Sequence, residues 1–388
     1  MKRRKHLLTL LLLLPGTLLA SPSDTLSAGA EISLLTCAPG DQLYSLFGHT
    51  AIRVRDPRGG MDIVFNYGTF DFRTRGFYLK FARGLLPYNL SRTTFSDFMA
   101  EYHYYQRGVR EQTLLLSPDR RQRLWELLSE NYRPENRTYL YNFLYDNCTT
   151  RARDIIDAAL DHDVAWDAPR QDKNFWNLLD ECLEISPWTR WGIHTILGVP
   201  ANANAIKWEQ MFLPDYLLRG LAYASHDGKP VALPPRALID LPDSRPRTPW
   251  YLAPAFAFAV GTALLILILS LFRGRRLLAG VAAPLFIVTG ITGCLLLFLG
   301  YFTLHPTTAP NANLLWASPV NLLVVPFLWR RRLPGVIRGY LFGYLAWLAT
   351  YLVICPFIAP AALYSNAIII VLMGFLVYRL RGGCPPRK

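Results

Sequence analysis

The chain has 388 residues, 52% of them hydrophobic, and a formal net charge of +13, which leaves room for two domains. Four basic residues fall in Lys2–Lys5 and eleven after residue 250, so the stretch between holds 26 basic against 28 acidic residues. A globular part so nearly neutral offers no basic face for phosphates, which excludes nucleic acid as a partner and leaves the positive charge as a topology signal.

Residues 1–20 read as a signal peptide: a basic start (Lys2, Arg3, Arg4, Lys5), a Leu-rich run, then Ala20 before a polar Ser-Pro-Ser-Asp. The run is short and Pro-interrupted for a membrane span. Leu18 departs from the small residue expected three places before the cut, so a retained anchor is the alternative. The Leu-Leu-Thr-Cys stretch ending at Cys37 is not a lipobox, because Thr precedes the Cys.

Residues 21–225 read as an α+β domain. Alternating apolar residues predict strands over Glu31–Cys37, His49–Asp56 and Met61–Tyr67, the last two joined by a turn at Pro57-Arg58-Gly59-Gly60. Helical periodicity predicts helices over Arg120–Tyr132, Cys148–Leu160, Asn174–Leu183 and Pro187–Leu197. Asp146 or Asn147 is a natural N-cap for the second of these. Cys148 then sits in a first turn, in register with the apolar stripe of Ala152, Ile155, Ile156, Ala159 and Leu160. Unsatisfied N–H groups and the helix dipole favour thiolate there, which suits a nucleophile. A small buried space-filler is the bland alternative.

A thiolate in acyl transfer needs an oriented base. His49 opens a strand after Gly48, and the hairpin brings Asn66 and Tyr67 alongside it, so Asn66 is placed to fix the imidazole's tautomer. His103, His162, His194 and His226 have no nameable partner in the sequence. Three cysteines precede the tether (Cys37, Cys148 and Cys182), and an odd number in an oxidising compartment leaves a free thiol. Either a Cys37–Cys182 disulfide leaves Cys148 free, or all three are free. No zinc-type spacing and no Gly-rich phosphate loop appears, so no cofactor is expected.

Residues 226–250, rich in proline, read as an extended tether. From 251 to 388 there is no Asp or Glu, and five apolar stretches, 251–272, 279–303, 314–329, 339–358 and 361–378, predict a bundle of about five transmembrane helices. Arg273, Arg275 and Arg276 follow the first; Arg330, Arg331, Arg332 and Arg338 the third; Arg379, Arg381, Arg387 and Lys388 the fifth. The alternate connections carry no Lys or Arg. By the positive-inside rule the basic loops are cytoplasmic, which puts the α+β domain in the periplasm of a bacterial inner membrane and the C-terminus in the cytoplasm.

His49 first, then Asn147-Cys148 at a helix start, resembles the permuted papain-like thiol enzymes. These include the lecithin–retinol acyltransferase group and permuted relatives of NlpC-type cell-wall peptidases. More narrowly, Leu43-Tyr-Ser-Leu-Phe-Gly-His-Thr-Ala-Ile-Arg-Val-Arg55, Asn66-Tyr-Gly-Thr-Phe-Asp71, Asn147-Cys-Thr-Thr-Arg151 and Phe212-Leu-Pro-Asp-Tyr-Leu217 resemble the Lnb N-terminal periplasmic domain family across nearly all of 25–225. The membrane half is similar too, including His305-Pro306 and Asn311-Ala-Asn313-Leu-Leu315. The resemblance implies transfer of a fatty acyl chain to the free α-amine of a lipoprotein's N-terminal diacylglyceryl-cysteine. Its partners are then a phospholipid donor, the lipoprotein N-terminus and the bilayer. Cys148, His49 and Asn66 are the expected catalytic residues. Asn147, Arg151 and Tyr67 beside them, with His305, Asn311 and Asn313 at the outer end of the second and third spans, are expected to meet the substrate. The last three are equally readable as a wet interfacial loop.

Drawing a chain of about sixteen carbons into water costs on the order of 12 kcal/mol, so an enzyme that moves one belongs at the bilayer surface. Two other classes remain open: a membrane-anchored thiol peptidase or amidase acting on cell-wall peptide, and a non-catalytic envelope assembly or transport protein.

Overall fold

The computed structural model describes residues 25–272 and 274–381; the signal peptide at 1–20, Arg273, Cys384, Arg387 and Lys388 fall outside them. The hairpin and its neighbour are β1 (Glu31–Cys37), β2 (His49–Asp56) and β3 (Met61–Thr69). The turn closes because the Asp56 carboxylate accepts from the Arg58 N–H at 3.1 Å and Gly60 adopts φ 61°. Then come β4 (Pro87–Thr94), β5 (Val109–Thr113) and β6 (Thr138–Leu140). A small second sheet contains β7 (Ala165–Trp166), β8 (Ala224–His226) and β9 (Lys229–Pro230), and β10 (Arg236–Ile239) returns to the first. The main sheet is antiparallel in the order β10-β5-β1-β2-β3-β4-β6.

Its helices are α1 (Phe77–Ala82), α2 (Phe95–Tyr104), α3 (Pro118–Tyr132), α4 (Cys148–Ala159), α5 (Phe175–Leu183), α6 (Pro187–Ile196), α7 (Lys207–Gln210) and α8 (Pro214–Ala222). The first two escape the sequence reading. The six residues of α1 are nearly all apolar, so they show no period. On one sheet face, Ala152, Ile155, Ile156 and Ala159 of α4 meet Ile52, Val54 and Phe65, with Leu124 and Leu128 of α3 beside them. On the other, Phe98 and Tyr102 of α2 cover Leu35, Ala51 and Val64. The central strands are therefore buried on both sides, which holds their ends in place.

The tether is shorter than its prolines suggest. Arg236 pairs with Glu111 and Ile239 with Val109, so residues 236–239 form an edge strand. Arg236 Nη2 also donates to Glu111 Oε2 at 2.6 Å. Prolines are tolerated beside an edge, where no second ladder is needed; residues 240–249 are the longest stretch here without regular structure.

In the membrane half, α9 (Pro254–Leu271), α10 (Arg275–Tyr301), α12 (Gly335–Ile358) and α13 (Pro360–Arg381) are long and apolar enough to cross a bilayer, four such helices among the described residues. The expected third span, 314–329, is not one of them. It folds as short pieces, a 3-10 turn at Ala312–Leu315, α11 (Asn321–Val324) and a second 3-10 turn at Val325–Phe327. Pro319 and Pro326 each remove a backbone donor, which breaks the helix. Gly290 and Gly293 of α10 let the broken segment lie close: a Cβ on Gly290 would meet Leu322 Cγ at 2.6 Å, and one on Gly293 would strike the Ala317 carbonyl. Irregular backbone at this depth is tolerated because it is buried in protein. The count of crossings still works. Arg275 Nη1 reaches the Leu380 carbonyl at 3.3 Å and Arg381 covers the Phe342 ring, so the basic ends gather at one end of the bundle. The α+β domain is docked at the other.

Polar side chains hold that broken segment. Asn313 Oδ1 accepts from Trp316 Nε1 (2.8 Å), Tyr351 OH (2.8 Å) and Asn366 Nδ2 (3.1 Å), while its Nδ2 donates to the carbonyls of His194 and Thr195. Asn313 is fully buried, and each partner left unsatisfied costs roughly 1–3 kcal/mol. Asn313→Ala is thus expected to cost about 3 kcal/mol or more, read as a lowered thermal midpoint in detergent; an unchanged midpoint would show that the network carries no stability.

Candidate active site

Helix α4 begins with a capping box. Asn147 Oδ1 accepts from the N–H groups of Thr149 (2.8 Å) and Thr150 (2.9 Å), and the Asn147 N–H donates to Thr150 Oγ1 (2.8 Å). Its Nδ2 donates to the carbonyls of Phe143 (2.8 Å) and Phe212 (2.9 Å). Every bonding position of that amide is occupied. Asn147 is therefore a positioning residue and not the substrate ligand expected of it. The cap leaves the Cys148 N–H, at the first helical position, outside its reach.

Strand β2 delivers the imidazole. Gly48 takes φ +80°, and a Cβ there would stand 2.8 Å from the Cys37 carbonyl, so the approach to His49 requires glycine. His49 Nε2 meets Asn66 Oδ1 at 3.2 Å. That leaves Nδ1 for Cys148, whose sulfur and the imidazole favour each other's charged form. Thr50 and Thr149, 99 residues apart, join their hydroxyls at 3.1 Å and tie β2 to α4 beneath the pair. The Thr149 hydroxyl lies 3.8 Å from Cys148 Sγ.

The electrostatics separate this thiol from its neighbours. Burial disfavours the Cys148 thiolate, but the His49 charge, the hydrogen bond from His49 and the Thr50 N–H outweigh burial and hold the thiol below its ordinary value. Burial likewise opposes the His49 imidazolium, and the Cys148 thiolate with the bonds to Cys148 and Asn66 raises its pKa. Cys37 and Cys182 have no such partner. Burial pushes each up to about 12, in Cys37 against the pull of the Tyr102 hydroxyl. Both are free, as is Cys148, so the disulfide alternative gives way to three free thiols. Among the described thiols of this domain only Cys148 is poised to react.

The remaining expected ligands are occupied by other partners. Tyr67 is buried in the core, its hydroxyl accepting from Asn131 Nδ2 at 2.8 Å. Arg151 holds Asp146 through two bonds of 2.6 and 2.8 Å and covers the Tyr139 ring at 3.6 Å. His305 Nε2 donates to the Ala82 carbonyl at 3.1 Å, and Asn311 Nδ2 to those of Thr195 (3.1 Å) and Ile196 (2.8 Å). With Asn313 these side chains tie the two domains together.

The structure adds residues that sequence reasoning missed. Gly68, at φ +85° beside a bulge in β3, brings its backbone against the thiol: a Cβ there would stand 3.5 Å from Cys148 Cβ and 3.5 Å from Tyr141 Cε2. The Tyr139 hydroxyl lies next to that spot, buried and without a hydrogen-bond partner among the described residues. The alternating Tyr139-Leu140-Tyr141 ahead of Asn147 was the available signal. His194 also acquires partners, Asp180 Oδ1 at 2.7 Å and Ser365 Oγ at 2.9 Å. The three join α5, α6 and α13, with Arg190 on the same Asp180, as a buried domain clamp. A cavity of about 330 Å³ between β3 and β4, lined by Phe70, Asn89, Arg92 and Arg137 among others, does not reach Cys148. The cluster Asp163, His226 and Asp227 gathers metal-ligand atoms at the surface and shares no residue with the thiol site.

Residues 25–176 match the family described as Lnb N-terminal periplasmic domain, and residues 245–381 match the Lnb transmembrane domain. No curated protein and no solved structure matches the chain. The segment between the two matches is nevertheless part of the site, since Phe212 holds the Asn147 amide and Pro214 lies against Gly48.

Proposed function

The chain belongs to the Lnb family, with a periplasmic α+β domain on a membrane bundle, and on that premise we propose that it is a cysteine-dependent acyltransferase. It moves a fatty acyl chain from a phospholipid, through a thioester on Cys148, to the N-terminal amine of bacterial lipoproteins. The observation that carries this reading is a thiol held below its ordinary pKa by an imidazole that Asn66 orients in turn.

His49 takes the Cys148 proton, and the thiolate attacks the ester carbonyl of the donor. The Cys148 N–H, outside the cap, and the Tyr139 hydroxyl, unpartnered among the described residues, serve as the oxyanion donors in this reading. Collapse breaks the carbonyl–alkoxy bond, and the departing alkoxide takes the proton back from His49, leaving a lysophospholipid and the thioester. The incoming α-amine, with a reference pKa near 8, attacks once deprotonated. Its proton passes through His49 to the departing Cys148 sulfur, and the amide forms. The C-terminal end with its arginines faces the cytoplasm in this reading, by the positive-inside rule.

The test is mass spectrometry of lipoprotein N-termini from cells lacking the chain, expressing it, or expressing Cys148→Ala. One added acyl chain on the terminal amine with the wild type alone supports the reading. Identical N-termini in all three strains overturn it and turn attention to cell-wall peptides.

A further inference from the structure

Helix α1 and its flanks form an exposed apolar element that no described residue covers. Phe72 is 61% exposed, Tyr78 82%, Leu79 60% and Phe81 51%. Arg73, Arg75, Lys80 and Arg83 are interspersed among them against a single acid, Asp71, which Arg73 engages. Aromatic and aliphatic residues mixed with basic ones mark a segment that lies in a membrane interface.

The structure fixes where this element sits. The Leu304 N–H donates to the Arg83 carbonyl at 3.0 Å, and His305 donates to the Ala82 carbonyl. Both partners follow directly on the outer end of the α10 span. Tyr301, Phe302 and Leu304 at that end are exposed as well, so the apolar face of α1 continues the lipid-facing surface of the bundle. From α1 a ladder of rings leads inward. Phe77 and Phe72 each touch Phe70 (centroids 5.8 and 5.0 Å), Phe70 touches Tyr88 (5.3 Å), and Tyr88 stacks on Tyr141 (4.4 Å). Tyr141 and Cys148 flank the same point above Gly68.

We propose that residues 70–86 rest in the outer leaflet of the bilayer and that the Phe70–Tyr88–Tyr141 ladder receives the acyl chain of a membrane phospholipid on its way to Cys148. The lipid-surface part stands on its own; the delivery part rests on the acyltransferase reading. The arrangement keeps the chain on apolar rings between leaflet and thiol, so no large part of it is drawn into water.

The test uses the full chain in phosphatidylethanolamine–phosphatidylglycerol nanodiscs. A phospholipid with a diazirine near the carboxyl end of its acyl chain, at the depth of the interface, is photolysed, and cross-linked peptides are identified. Labelling within residues 70–86 is expected; its absence there, with the spans labelled, overturns the lipid-surface part. Tyr78→Asp with Phe81→Asp is then compared with the wild type and with a Tyr104→Asp control at a distant exposed site. Acylation of Cys148 by bilayer phospholipid is expected to fall about tenfold or more in the double variant. Acylation by a water-soluble short-chain ester is expected to stay within about twofold, as transition-state groups are untouched. Equal loss with both donors, or loss with neither, overturns the delivery part. Failure of even the wild type to acylate Cys148 overturns the acyltransferase reading and the delivery part with it, while the cross-linking result stands separately.

Discussion

Given phospholipid and no amine, the wild-type chain is expected to gain the mass of one acyl chain on Cys148, as a thioester that neutral hydroxylamine releases. The acyl group waits there because the second half of the reaction lacks its nucleophile. Cys148→Ser is expected to lower transfer to lipoprotein amines by about 10³-fold or more, and Cys148→Ala to the uncatalysed level. The serine variant is informative because a hydroxyl is a far weaker acid than a thiol. The imidazole that stabilises a thiolate cannot hold an alkoxide, although the shape and helix cap are kept. Its thermal midpoint should stay near that of the wild type, since Asn147 and the Thr50–Thr149 pair carry the local structure. The readouts are intact-protein and peptide mass spectrometry before and after hydroxylamine. An acyl group recovered from another residue, or equal transfer by the serine variant, would remove Cys148 from the mechanism.

Much of this site is readable from short stretches of chain because its parts are local. The Asn147 cap acts within three residues, and the turn after Asp56 delivers Asn66 to His49 across 17. The apolar stripe of α4 needs only its own period. What escaped detection depends on distant partners. Nothing near Asn147 indicates that Phe212 will take one of its amide hydrogens 65 residues on, so a saturated cap looks like a free ligand. The same holds for Asn311 and Asn313, which read as polar residues at a membrane surface until Thr195 and Ile196 arrive from the other domain. Composition counts apolar length well but is blind to the prolines' effect within it, which is why 314–329 reads as a span and folds as three turns. Helix α1 fails for the opposite reason: six residues, all but Lys80 apolar or aromatic, are too few and too uniform to set a period.

Removing the imidazole should move the reactivity of the thiol along the pH axis in a direction that the charges fix. In the wild type, Cys148 lies below its ordinary value and His49 above its own, because each charge favours the other. Alkylation of Cys148 by iodoacetamide, followed by peptide mass spectrometry, is therefore expected to persist below the usual thiol range and fall only as acid protonates the sulfur. His49→Ala removes the positive charge and leaves burial, which acts the other way; the alkylation profile should rise by about one to three pH units. The alkaline limb distinguishes the two roles of His49. As pH climbs through its raised pKa the thiolate survives, so alkylation stays high, but no proton remains for the departing alkoxide and acyl transfer declines. Asn66→Ala should shift that limb downward and leave the acid limb nearly in place, because the amide supports the imidazolium and does not touch the sulfur. Buried Cys37 supplies the internal control, since a thiol pushed up to about 12 stays unmodified across the range. Superimposed alkylation profiles for the wild type and His49→Ala would mean that some other group lowers the Cys148 pKa, and the imidazole would lose its place in the site.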